Sequence, residues 1–131
     1  MWMLLICCLV PDGTVHLDKI FLNGDVRGFS SLLAANSKVK TNLRPLLYDH
    51  GTLSPPQIRL AFKKLITRFH ITKAEITSKQ ADTNFAWVEV TLSVLMQDRQ
   101  SKQPYRANFA LQLKYSNSKL VLSRWILQDV K

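Results

Sequence analysis

Cysteine is scarce in this chain, and its two copies, Cys7 and Cys8, are adjacent. Neighbouring cysteines are poorly placed for an ordinary disulfide, and two thiols alone do not complete a zinc site. No Cys-x-x-Cys pair exists. Glycine is also scarce. Gly13, Gly24, Gly28 and Gly51 are scattered and turn-like, which excludes a glycine-rich phosphate loop. The three histidines, His16, His50 and His70, show no metal-ligand spacing and no His-Glu-x-x-His pattern. A Gly-x-Ser-x-Gly elbow is missing as well. The longest uncharged apolar run, Met1 to Val10, is ten residues, too short to span a bilayer. No cofactor or metal is expected on these grounds.

What is present describes one domain with a real core. The chain has 131 residues, 47% of them hydrophobic and 21% charged, which argues against disorder. Eighteen Lys and Arg stand against nine Asp and Glu, a net charge of +9. The excess is uneven: residues 1–53 carry five basic and four acidic side chains, whereas 54–131 carry thirteen and five. Such a balance attracts anionic partners, although a solvated basic surface accounts for it equally.

Residues 1–13 form an N-terminal apolar segment. Met1 to Val10 resembles the core of a secretory signal peptide, without its basic start or its small-residue cleavage site. Two alternatives stand beside that reading: a segment packed on the domain, and a lipid anchor at Leu4-Leu5-Ile6-Cys7. If the segment is a signal peptide, residues 14–131 form an extracytoplasmic domain, secreted or periplasmic.

The last third is the organising stretch. In Phe85 to Met96, Ala86, Val88, Val90, Leu92, Val94 and Met96 share one face; Trp87, Glu89, Thr91, Ser93 and Leu95 share the other. Tyr105 to Tyr115 alternates likewise through Ala107, Phe109, Leu111 and Leu113, and a third strand runs from Lys119 to Asp129. Period-2 alternation of this length predicts an antiparallel sheet with one covered face. His70 to Ser78 adds a fourth, partly exposed strand.

Upstream lies the cover. Thr14 to Ala35 reads as two short helices, or one kinked helix, meeting at Asn23-Gly24-Asp25, with Asp25 as a cap. Val39, Thr41 and Leu43 suit a short strand that Pro45 ends or leaves at an edge. Tyr48 to Thr52 reads as a loop. Ser54-Pro55-Pro56-Gln57 is a capping box with proline at the first helical position. The helix it opens puts Ile58, Ala61, Phe62, Leu65, Ile66 and Phe69 on one face, and Arg59, Lys63, Lys64 and Arg68 on a basic opposite surface.

The order of helix pair, short strand, third helix and closing meander resembles the NTF2-like superfamily. Within it, the chain is similar to small secreted bacterial domains of uncharacterised function. The resemblance implies an α+β fold: a curved antiparallel sheet of four main strands around about three helices, with a short extra edge strand. Members include enzymes, transport factors and binding modules. Catalytic members usually place an Asp–His pair, or an Asp with Tyr, in the pocket, and this chain has no convincing counterpart.

Candidate site residues follow from the sheet. Trp87, Glu89, Trp125 and Tyr105 are the ligand-binding candidates. Trp87 and Trp125 would stack across strands on a shared face, beside an acidic Glu89. Lining a pocket, Glu89 would be a buried acid; facing solvent, it would pair with Arg106 or Lys114. His50 beside Asp49 and Tyr48 is the one chemically suggestive polar cluster. Arg106, Lys114 and Arg124 between aromatics would suit a single-strand nucleic-acid platform, which the spacing does not select. The leading expectation is a non-enzymatic module for a protein, peptide or small apolar ligand, with a homodimer through the sheet as a further option. An enzyme using a pocket carboxylate or histidine is the alternative, and weak binding to nucleic acid or an anionic surface a third.

Overall fold

A computed structural model describes residues 16–82, 86–116 and 119–131. The apolar segment 1–13, Thr14-Val15 and residues 83–85 and 117–118 lie outside these. Three helices, α1 (Leu17–Asn23), α2 (Val26–Ser30) and α3 (Pro55–Arg68), pack on one face of a six-stranded sheet. The strands are β1 (Val39–Asn42), β2 (His50–Leu53), β3 (Phe69–Ala81), β4 (Trp87–Asp98), β5 (Pro104–Ser116) and β6 (Lys119–Val130), in the spatial order β2-β1-β6-β5-β4-β3.

Local signals explain the helices. Gly24 ends α1 at φ +60°, a left-handed conformation that costs an L side chain. Asp25 opens α2, its Oδ1 accepting the Gly28 N–H at 2.9 Å. Pro55 is the first residue of α3, and Gln57 Oε1 accepts the Ser54 N–H at 2.8 Å. Ile58, Ala61, Phe62 and Leu65 are all fully buried against the sheet. Phe69, expected to extend that helical face, is instead the first residue of β3, where it is buried all the same.

The sheet departs from four antiparallel strands in two ways. β1 lies inside it, antiparallel to β2 but parallel to β6, so the sheet is mixed. Of Tyr48 to Thr52, expected as a loop, His50 to Thr52 belong with Leu53 to an edge strand pairing with β1. Its four residues are mostly exposed and polar, so no hydrophobic alternation betrays them. Pro45, after a cis Arg44–Pro45 peptide bond, follows β1 once the strand has ended.

In β4 the expected face is buried at Val88, Val90, Leu92, Val94 and Met96, whereas Ala86 precedes the strand and is exposed. In β3 simple alternation would separate Ile71 from Ile76. A register shift between Ile71 and Lys73 instead places Ile71 opposite Met96 and Ile76 opposite Leu92, both on the helix side. A second shift, at Ser123 in β6, puts Leu122 and Trp125 on the same face, opposite Leu113 and Leu111. Against that face α1, α2 and α3 bring Phe21, Phe29 and Phe62. Phe29 and Phe62 stack at 4.2 Å, and Phe21 meets Phe109 and Trp125 at 5.9 Å. The helix-facing side of the sheet is thus filled by aromatic rings.

Candidate functional site

The four expected ligand-binding residues do not form one pocket. Pairing register carries Val90, Leu111 and Trp125 on one row of the helix face. Trp87 stands opposite Lys114, and Glu89 opposite Gln112 and Gln80, on the other face. Trp87 and Trp125 therefore cannot stack, because the sheet lies between them. Trp125 is 0% exposed, a core residue whose Nε1 has no hydrogen-bond partner among the described residues. Tyr105 is half-buried at the end of the sheet, edge-on to Phe69 at 5.9 Å. It lines a separate groove of about 540 Å³ with Leu95, Gln97, Arg106 and Lys131.

Glu89 forms no ion pair among the described residues. Arg106 and Lys114, proposed as its direct partners, stand across from Leu95 and Trp87 instead. Arg124, also on the outer face, stands opposite Gln112. Tyr105, Phe109 and Trp125 face the helix side, so a platform of alternating bases and rings is not assembled there. The Asp49–His50 pair is also split. His50 Nδ1 lies 2.8 Å from the Tyr48 carbonyl, and Asp49 bonds to Lys64.

The structure draws a different set together. A cleft of about 530 Å³ opens where the end of α3, the 43–49 segment and the β4–β5 turn converge. Its walls are Leu47, Tyr48, Asp49, Lys64, Thr67, Arg68, Asp98, Arg99 and Gln100. Tyr48 is 87% exposed at its edge. Lys64 Nζ sits 3.3 Å from Asp49 Oδ2, and Arg68 Nε 3.5 Å from Asp98 Oδ2. These two members of the basic face therefore belong to the cleft.

Asp98 is the organising polar residue. It is the buried last residue of β4. Its Oδ1 accepts the N–H groups of Gln100 at 2.9 Å and Ser101 at 3.1 Å. The Ser101 and Gln100 N–H groups, with Arg68 beside them, hold its carboxyl below the usual carboxylate range although burial opposes this. An aspartate bonded to N–H groups two and three residues on is an Asx-type turn, the sequence signal that Asp98-Arg99-Gln100-Ser101 carried.

Arg68 ties three segments. Besides Asp98, its Nη1 donates to the Leu46 carbonyl at 3.2 Å, and its guanidinium lies 5.0 Å from the Phe69 ring centroid. Arg99 closes the helix end. Its backbone N–H donates to the Arg68 carbonyl at 3.0 Å and its Nη2 to the Ile66 carbonyl at 3.2 Å. Both serve carbonyls left over in the last turn of α3, where positive charge is favoured.

Solved structures with the same architecture are numerous. A putative isomerase from Bacillus subtilis superimposes with a TM-score of 0.73 at 12% identity, over 91% of this chain and 84% of that one. A DUF4783 family protein from Bacteroides ovatus does so with a TM-score of 0.62 at 9% identity, over 85% and 89%. The fold is NTF2-like. A third NTF2-like neighbour, the BvnE pinacolase from Penicillium brevicompactum, gives 0.68 at 13% identity, over 91% and 84%. No protein-family model and no curated protein matches the sequence.

Identities this low establish the fold alone, and NTF2-like neighbours include enzymes as well as domains of unknown function. Among the described residues, no group of three His, Cys, Asp or Glu could hold a metal, and no helix is long and apolar enough to cross a membrane.

Proposed function

We propose that the chain is a non-catalytic NTF2-like binding module that receives a small ligand, or one side chain of a peptide or protein, in the cleft at the end of α3. The observation carrying this reading is the division of labour between the two spaces. The helix-facing side of the sheet is packed with Phe21, Phe29, Phe62, Phe109 and Trp125. The concavity beside it is lined by the apolar Leu47 and Tyr48 and by ion-paired polar groups. Clefts of several hundred Å³ with apolar walls and a few fixed polar groups suit small ligands.

Enzyme neighbours support a competing reading, in which a cleft carboxylate does acid–base work. Asp98 suits that role poorly. A carboxyl held below its usual range stays ionised at neutral pH and is a weak base. An N-terminal signal segment would place the module outside the cytoplasm, and the mass of the mature N-terminus tests that.

Titrating small aromatic fragments while following backbone amide shifts tests the main reading. Perturbations should cluster at Leu47–Asp49 and Asp98–Ser101. Shifts confined to other surfaces, or turnover that is lost on Asp98→Asn substitution, would overturn it.

A further inference from the structure

The three helices lie on one side of the sheet and leave the other without a helical layer. That outer face is not a plain solvated surface. Trp87, Glu89 and Leu95 on β4 and Arg124 and Ile126 on β6 are all half-buried on it. One row crosses all six strands from β3 to β2 as Gln80, Glu89, Gln112, Arg124, Lys40 and Thr52. Glu89 and Arg124 stand one strand to either side of Gln112. Neither forms an ion pair with a described residue. Arg124 instead has Lys40 beside it, and like charges on neighbouring strands repel. The acid of this row lacks a base, and its two bases lack an acid.

A second copy of the chain supplies both. We propose that the chain forms a two-fold homodimer through this face, with the axis nearly along β5 in the plane between the two sheets. That operation keeps each row in place and exchanges β4 for β6, as a self-complementary interface requires. Glu89 then faces the partner's Arg124, and Arg124 faces the partner's Glu89. In the next row Thr91 faces the partner's Ile126, and Ala110 meets its own copy on the axis, where a small side chain lets the sheets approach. Lys114 and Arg106 meet their own copies as well. Both are long, exposed and two rows from Ala110, so they extend to solvent where crossed sheets diverge. Five strands spaced by ~4.8 Å, over the span Arg106–Lys114 at ~3.4 Å per residue, make a face of roughly 700 Å², near the ~800 Å² per partner of a standard interface. The cleft at the end of α3 lies on the helix side and stays open in both copies.

Sedimentation velocity of the full chain over a dilution series is expected to show a dimer that dissociates to monomer. Glu89→Arg and Arg124→Glu should each weaken it about tenfold or more, because each puts like charges face to face in both symmetric pairs. The double variant E89R/R124E restores opposite charges and should recover most of that loss. Thermal melts identify any variant that fails to fold. Mixed-label samples of the unaltered protein then decide alone: methyl contacts between Thr91 of one copy and Ile126 of the other are expected, and a dimer without them would overturn the proposal. A chain that stays monomeric up to ~1 mM, a dimer indifferent to both reversals, or a folded double variant no tighter than the single ones would overturn it too.

Discussion

Trp125→Phe is the substitution that separates packing from hydrogen bonding in the core. Trp125 is fully buried, and its Nε1 donates to nothing among the described residues. An indole N–H removed from water without a partner carries a penalty of about 1–3 kcal/mol. Phenylalanine removes that penalty and keeps a ring facing Phe21, Phe29 and Phe109, which lie 5.9, 5.3 and 5.9 Å from the indole. It also loses apolar volume worth one or two methylenes, or about 1–2 kcal/mol at ~0.8 kcal/mol each. The two effects nearly cancel, and unfolding stability should change by less than about 1 kcal/mol. Phe62→Ala in the same cluster relieves no polar group and should cost about 3–5 kcal/mol. Equilibrium denaturation in urea measures both through the transition midpoint, provided the slope is unchanged. A loss of about 3 kcal/mol or more for Trp125→Phe would refute the reasoning, because the N–H would then have been satisfied in solution.

Other expectations follow from single contacts. Because Asp98 is depressed in the folded chain, its contribution is fully present above the unfolded value near pH 4 and is lost as pH falls through its lower folded value. Asp98→Asn should therefore destabilise at neutral pH, and the gap from the unaltered protein should close on acidification through that window; a constant gap would sink the assignment. Gly24→Ala should cost about 1–2 kcal/mol from the left-handed backbone alone, since Ile66 Cδ1 at 3.4 Å leaves room for the methyl. Gln57→Ala, which removes the acceptor for Ser54 N–H, should cost about 0.5–1.5 kcal/mol in a thermal melt.

The legible parts of the fold were those written in local periodicity. β4 is an inner strand with one face on the core, so Val88 to Met96 spell their burial by alternation. The Gly24-Asp25 junction and the Ser54-Pro55-Gln57 start are chemical signals contained within four residues. What failed was everything that needs a register. A single extra residue at Ser123 moves Trp125 from the face of Val121 to the face of Leu122, and no propensity announces it. That shift takes Trp125 off the face of Trp87, and β5 separates the two strands in any case, with Trp87 in the row of Lys114 and Val121. The parallel pairing of β1 with β6 joins stretches some eighty residues apart, so neither strand's own pattern records it.

The cleft was hidden for a related reason, and it changes what the basic residues of α3 are for. As a pattern, Arg59, Lys63, Lys64 and Arg68 are a solvated stripe opposite an apolar one. In the folded chain Arg59 Nε donates to Ser30 Oγ at 3.0 Å, tying α3 to α2. Lys64 pairs with Asp49, and Arg68 holds both Asp98 and the Leu46 carbonyl. Three of the four are tethers from one helix to three other segments, and their charge is partly spent within the molecule. A count of +9 therefore overstates the field this face offers to a polyanion. Of the four, Lys63 alone shows no such contact among the described residues. The same tethers bring Tyr48 and Arg99, fifty-one residues apart in sequence, to one cleft, a convergence that the charge excess does not announce.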